Sequence, residues 1–296
     1  MSGSHTVEVD SFSPDGKFAL VLPHPTSVKQ ALEAIGRRLE LRPASLQVFG
    51  IFLGPLGSPR RALEDSETIP VGASLSFQRW NFDVEKESRL VRHDDVAIGL
   101  LYSEARFYLD QGKIEPSEAQ RQELETLSDP MFPTERQFLE VVRTIPGYSS
   151  YFAAGCVLQR DVVSNDVQVP SGTVVSCITD FHGLSLQAGK TKAEWQWELV
   201  RRWKTPTSTC VKFEVCNQKG TAPVMEWVIL ETPQAYFLLS SASSVCDILK
   251  QQHDAKSQPH PPANPKLAGR PYDPLYEFVN TELFGVTQFS TLDQKR

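Results

Sequence analysis

The residues able to do chemistry are six histidines and five cysteines, and their spacing argues against catalysis. His5, His24, His93, His182, His253 and His260 are scattered along the chain. No pair has the HExxH spacing that holds zinc on one helix face, and no HxE precedes a distant CxxC. The phosphate-cradling GxxxxGK[ST] and the GxSxG nucleophile elbow are also missing from the sequence. His93-Asp94-Asp95 reads as a helix start, because an aspartate there accepts hydrogen bonds from first-turn amides. Cys156, Cys177, Cys210, Cys216 and Cys246 form no CxxC pair and are odd in number, the pattern of reduced thiols, and no Asn-x-Ser/Thr acceptor occurs. The expectation is a cytoplasmic protein that is not an enzyme and needs neither cofactor nor metal.

The second group with chemical potential is aromatic and basic. Trp203 follows Arg201-Arg202 and precedes Lys204-Thr205-Pro206, an exposed-looking context for a large aromatic, whereas Trp195, Trp197 and Trp227 lie in alternating strand patterns. On these residues alone, a core and a groove role for Trp203 stand at even odds. Pro206 supports the groove role, since proline in a sheet is confined to edges and strand ends. Such an edge can accept an extended peptide as an added strand. The arginine pairs Arg37-Arg38, Arg60-Arg61 and Arg201-Arg202 read first as solvated surface, and second as contacts to an anionic membrane.

These residues must be positioned by folded units. The chain has 296 residues, 40% hydrophobic and 22% charged, enough for two or three units with their own cores. A net charge of -6 and a pI near 5.6 supply no field for nucleic acid. Apolar runs such as Phe18–Leu22 and Val48–Leu53 are too short to cross a bilayer, and Met1–Asp10 is too polar for a signal peptide.

Residues 5–82 read as hairpin, helix, strand, loop and strand, the order of a ubiquitin-like fold. His5–Phe12 and Lys17–Leu22 flank a Ser13-Pro14-Asp15-Gly16 turn, and Val28, Ala31, Leu32, Ile35 and Leu39 recur at helical spacing behind a Pro25-Thr26-Ser27 cap. Leu46–Leu53 and Ser74–Trp80 supply the later strands. Residues 83–150 read as a small helical lobe, with one stripe of Val96, Leu100, Leu101, Ala105 and Tyr108 and another of Phe138, Val141 and Val142. Residues 151–250 read as short strands, Val174–Thr179, Leu184–Leu186, Glu194–Leu199, Thr209–Cys216 and Val224–Leu230, closed by a helix that Pro233 opens. Residues 251–296 carry six prolines and read as a tail; within it, the aromatics of Leu275–Phe289 are the part able to dock.

The order ubiquitin-like, helical, pleckstrin-homology/phosphotyrosine-binding-like resembles a three-lobed α+β FERM domain, whose helical lobe is acyl-CoA-binding-protein-like. Leu46–Leu53, His93–Ile114, Val200–Trp203, Glu226–Ile229 and Thr232–Ala235 resemble the FERM region of the sorting nexins that combine a PX and a FERM domain. The resemblance implies an adaptor for cytoplasmic tails of membrane proteins carrying Asn-Pro-x-Tyr or Asn-Pro-x-Phe, in endosomal trafficking or membrane-proximal scaffolding. It further implies that the backbone of Lys204 and Thr205 pairs with the peptide and that the Trp203 indole packs against the Asn-Pro turn. Leu238, Ala242, Val245 and Cys246 on the closing helix would form the apolar wall. Arg37, Arg38, Arg201 and Arg202 are the candidates for contact with a phosphoinositide surface on an endosomal or plasma membrane. A scaffold that engages a small GTPase or another protein through the ubiquitin-like lobe is the alternative. Tyr272-Asp273-Pro274-Leu275-Tyr276 mimics Asn-Pro-x-Tyr, with Asp as the turn-capping residue; it reads first as an ordinary proline-rich turn and second as a segment that enters its own groove.

Overall fold

The computed structural model describes residues 3–128, 134–164, 167–219, 222–257 and 278–279, in two compact units, 1–150 and 151–296. The first unit opens with the hairpin β1 (Ser4–Ser11) and β2 (Lys17–Pro23), whose turn uses Gly16 at φ 65, a conformation open to glycine at no steric cost. Helix α1 (Val28–Leu39) starts at a capping box, in which Gln30 N donates to Ser27 Oγ and Ser27 N to the Gln30 side chain. Gly36 in α1 lies beneath Leu46, where an added Cβ would sit 2.7 Å from a methyl group. Strands β3 (Phe49–Leu53), β4 (Arg61–Ala62) and β5 (Ser74–Arg79) complete a five-stranded sheet of order β2-β1-β5-β3-β4, with β1 and β5 parallel at its centre. This is the β-grasp arrangement expected from the sequence.

Four helices follow: α2 (Val84–Val91), α3 (Asp95–Asp110), α4 (Glu118–Thr126) and α5 (Glu135–Val142). Asp94 begins α3 as expected, accepting from Ala97 N at 3.1 Å and also from Arg42 N at 2.7 Å, which ties the helix start to the segment after α1. Within α3 the buried stripe is Ala97, Ile98, Leu100, Leu101 and Ala105, while Val96 turns outward. One apolar core runs through sheet and helices, joining Val9, Ile35 and Phe77 to Leu101, Phe138 and Val142.

Beside that core lies a buried ionic cluster around Arg79, the last residue of β5. Its guanidinium is 3.6 Å from Glu87, is within 4.0 Å of Glu104, and stacks 4.4 Å from the Tyr148 ring. Glu87 also accepts from Arg143 Nε at 2.9 Å and from the Tyr148 hydroxyl at 2.7 Å, and Glu104 accepts from the Arg79 backbone N–H at 2.9 Å. Burial pushes the Glu104 carboxyl up to about 7, against the opposing pull of Arg79 and Lys113. The folded value lies above the ordinary 4.5, so the native state keeps a proton that the unfolded chain has released between those values. Stability from this group is therefore complete at acid pH and is lost as pH rises through about 7. Glu104→Gln, which keeps the acceptor but cannot titrate, should remove about 3 kcal/mol of this pH dependence. Thermal melts of the two proteins from pH 4 to pH 8 check this: parallel curves would contradict the assignment.

The second unit contains β6 (Tyr151–Leu158), β7 (Val162–Ser164), β8 (Val167–Val169), β9 (Val174–Thr179), β10 (Gly183–Ala188), β11 (Thr191–Gln196), β12 (Val200–Thr207), β13 (Cys210–Lys219) and β14 (Ala222–Glu231). Helix α6 (Ala235–Ser257) follows, and a two-residue strand β15 (Phe278–Val279) ends the described chain. The sheet order is β11-β10-β9-β6-β14-β13-β12-β15, with β7 and β8 forming a separate hairpin. The expected strand over residues 194–199 ends at Gln196; Trp197–Leu199 is a 3-10 turn that lets the chain reverse into β12. Strand β6 was not legible as a strand because Ala153, Ala154 and Gly155 have low strand preference, and its pairing with β9 shifts register between Ala153 and Cys156.

Three tryptophans anchor the core of this unit, and each buried indole N–H has an acceptor. Trp195 donates to Asn217 Oδ1 at 2.7 Å, Trp197 to the Asp180 carbonyl at 2.7 Å and Trp203 to Ser243 Oγ at 3.1 Å. Helix α6 closes the sheet with Phe237, Leu238, Ala242 and Val245 buried, and a Thr179–Ser241 hydroxyl pair at 2.9 Å satisfies the polar groups beneath it.

Candidate functional site

Strand β12 alternates two chemistries. Trp203 and Thr205 are buried, whereas Arg202 and Lys204, which alternate with them, are half-exposed, as the two-residue period of a strand requires. On one side β12 pairs with β13 through Arg202–Glu214, Trp203–Phe213 and Lys204–Lys212, and the pairing slips between Lys204 and Thr207, around the exposed Pro206. On its other side it pairs antiparallel with β15, Arg202 opposite Val279 and Trp203 opposite Phe278. This edge thus accepts a strand from elsewhere in the same chain. Sequence reading assigned no strand to β15, although Phe278 and Val279 fall within Leu275–Phe289, the segment it singled out as able to dock.

Trp203 is not the rim side chain that its basic neighbours suggested. It is 0% exposed, its ring lies 5.8 Å from that of Trp197, and its N–H points to α6. The reason is parity: Arg202 and Lys204 occupy the opposite face, so a basic flank says nothing about where the indole points. The exposed-side aromatic is instead Trp227, half-buried on β14, with Arg202 and Lys204 each 5.2 Å from its ring.

The helix residues differ from expectation in the same direction. Leu238, Ala242, Val245 and Cys246 are all buried, so they form core beneath the sheet rather than an open wall. Burial also pushes the Cys246 thiol well up, which makes it unreactive. The residue that α6 presents to Trp203 is the half-exposed Ser243.

Thr205 has the feature most suggestive of a ligand. It is 4% exposed, and its hydroxyl is buried with no hydrogen-bond partner among the described residues. An unsatisfied buried hydroxyl costs about 1–3 kcal/mol, so its retention on an edge strand calls for an explanation.

The four arginines considered for membrane contact divide in two. Arg38 is 3.5 Å from Asp15 and Arg202 is 2.7 Å from Glu214, while Arg37 and Arg201 make no ion pair among the described residues; Arg37, Arg38 and Arg201 are exposed and Arg202 is half-exposed. The Tyr272–Tyr276 mimic lies outside the described residues, as does all of Leu275–Phe289 except Phe278 and Val279. Among the described residues no helix is long and apolar enough to cross a membrane, and no cluster of three potential metal ligands occurs.

No family model matches the sequence. It is 26% identical over 269 residues to sorting nexin-31 of Mus musculus, covering 79% of this chain and 58% of that protein, so the chain spans less than two thirds of its curated relative. The FERM and C-terminal domain complex of Drosophila Merlin superposes with a TM-score of 0.51 at 12% identity, covering 86% of this chain and 99% of the other. The MyTH4-FERM MF2 domain of Dictyostelium discoideum myosin VII, in a mutant form, superposes with a TM-score of 0.51 at 13% identity, covering 84% of this chain and 61% of the other.

Proposed function

From a chain that has the FERM fold and a sequence similar to a sorting nexin, we propose a non-enzymatic adaptor that binds cytoplasmic tails of membrane proteins. The tail motif is Asn-Pro-x-Tyr or Asn-Pro-x-Phe, bound by strand addition to β12, and the setting is endosomal trafficking or membrane-proximal scaffolding. The observation that carries this reading is the β12–β15 pairing, which supports an edge able to take an extra antiparallel strand. Backbone groups of Lys204 and Thr205 extend the same ladder. Trp203, held from beneath by Ser243 and Trp197, supplies a rigid floor for the residues of the added strand.

In this reading the Thr205 hydroxyl is completed by the ligand, whose turn carries the Asn side chain. Thr205→Val tests it with two readouts of opposite sign. The free protein should gain about 1 kcal/mol, because an unsatisfied hydroxyl is removed, while affinity for an Asn-Pro-x-Tyr peptide should fall about fivefold. Thermal melts and a peptide titration measure the two effects. Absence of binding to the unaltered chain by any such peptide would sink the proposal.

A second reading, a scaffold for a small GTPase or another protein, has one supporting observation: β2 is the outer strand of the five-stranded sheet and carries Val21 at 69% exposure.

A further inference from the structure

The first unit gathers cations where the ends of two helices meet. Helix α1 carries Arg37 and Arg38 in its last turn, and the chain then runs through Leu41 to Arg42, whose N–H donates to the Asp94 carboxylate at 2.7 Å. Because Asp94 caps α3, this bond draws Arg42 against the α2–α3 connection, which carries Arg92 and His93. A second tie lies close by: Ser45 Oγ donates to the Leu90 carbonyl at 3.4 Å, one residue from Arg89. Along α2, Lys86, Arg89 and Arg92 recur every three residues on the face opposite the buried Glu87 and Val91. Each of these basic side chains is exposed. Among the described residues Arg38 is held at 3.5 Å by Asp15, whereas Arg37, Arg42, Lys86, Arg89 and Arg92 make no ion pair.

The protein carries a net charge of -6, so this excess of positive charge is local. Nearby carboxylates do not cancel it. Asp94 is buried as the cap and Asp95 is engaged by Arg136. Glu33, Glu40 and Glu85 are the exposed carboxylates on α1, its C-cap and α2, and none of the three forms an ion pair among the described residues. Like charges three residues apart on a helix repel, so the row on α2 costs stability in the free protein. Beside it Val96, in the first turn of α3, is 39% exposed. Unpaired cations next to an exposed apolar side chain match the surface of an anionic leaflet, where arginines meet the headgroups and the apolar group enters the interface. We infer that this face of the first unit docks on an anionic bilayer surface, a phosphatidylserine-containing leaflet, with Arg42, Arg89 and Arg92 as its main contacts. Such docking is separate from the capture of a tail peptide at β12, and each can occur without the other.

The test uses the full chain sedimented with vesicles of phosphatidylcholine, alone or mixed with phosphatidylserine. The chain should bind the mixed vesicles only, and less tightly as salt is raised. Each cation at such a surface is worth about fivefold in affinity, so Arg42→Gln, Arg89→Gln and Arg92→Gln together should weaken binding about a hundredfold. The same loss of charge on the second unit, through Arg160→Gln, Lys190→Gln and Lys192→Gln at exposed positions, should leave it unchanged. If the first triple variant does not fold, nuclear magnetic resonance of the unaltered chain with a paramagnetic lipid decides the matter: amide signals from Arg89 to Val96 should broaden on binding. Failure to bind mixed vesicles, equal weakening by the two triple variants, or broadening that spares Arg89–Val96 would each overturn the inference. Binding of soluble polyglutamate through these arginines, with no binding to vesicles, would assign the face to an acidic protein partner and likewise overturn it.

Discussion

Trp203→Ala is expected to destabilise the second unit by about 3–5 kcal/mol, not to leave an intact protein with an empty groove. The side chain is fully buried, packs on Trp197 and donates to Ser243 on the closing helix. Truncating a large core aromatic removes its transfer free energy and leaves a cavity, together about 3–5 kcal/mol. A domain of this kind has about 5–15 kcal/mol in total, so the variant loses a large share of the unit's stability. Circular dichroism melts check the loss directly. Trp203→Phe separates the contributions, since it keeps most of the ring volume and forfeits the hydrogen bond to Ser243, at about 1–2 kcal/mol. An alanine variant that melts like the unaltered chain yet no longer binds peptide would restore Trp203 to the rim and contradict its place in the core.

The second large effect concerns competition within the chain. Phe278 and Val279 pair with the very residues of β12 that an outside strand would use, and both strands belong to one polypeptide. A tethered competitor acts at an effective concentration of about 1 mM. A chain ending at Ser257 should therefore bind an external Asn-Pro-x-Tyr peptide about tenfold tighter than the full chain. Tyr276→Ala in the full chain should have a smaller effect than Val279→Pro, because proline removes a ladder donor from the strand itself. Identical affinities for the full and shortened chains would show that β15 does not compete.

Much of the architecture was legible in the sequence for local reasons. The Ser27 cap, the apolar spacing through Ile35 and the Asp94 helix start each rest on a few neighbouring residues, and each recurs in the structure. The position of β12 came from the resemblance, with Pro206 as a supporting mark of a strand edge. What was not legible depended on parity and on long-range pairing. The charges around Trp203 gave no information about its face, because Arg202 and Lys204 serve the opposite side of the sheet. Trp227, in an apolar alternation, turned out to be the half-exposed aromatic beside those charges. Thr205 carries no signal of its unsatisfied hydroxyl in sequence, since that follows from what the fold places around it. The same holds for the Arg79 cluster, whose Glu87, Glu104 and Arg143 come from three different helical segments.

The central claim is that β12 takes a tail peptide as an additional antiparallel strand. It is tested most directly by nuclear magnetic resonance on the full chain with an isotope-labelled Asn-Pro-x-Tyr peptide, read as cross-strand contacts between bound peptide and protein backbone. The account predicts contacts from the peptide to Arg202, Trp203, Lys204 and Thr205, together with loss of the contacts between β12 and Phe278–Val279. A peptide that binds while the β12–β15 contacts persist, and whose own contacts fall elsewhere, would contradict it.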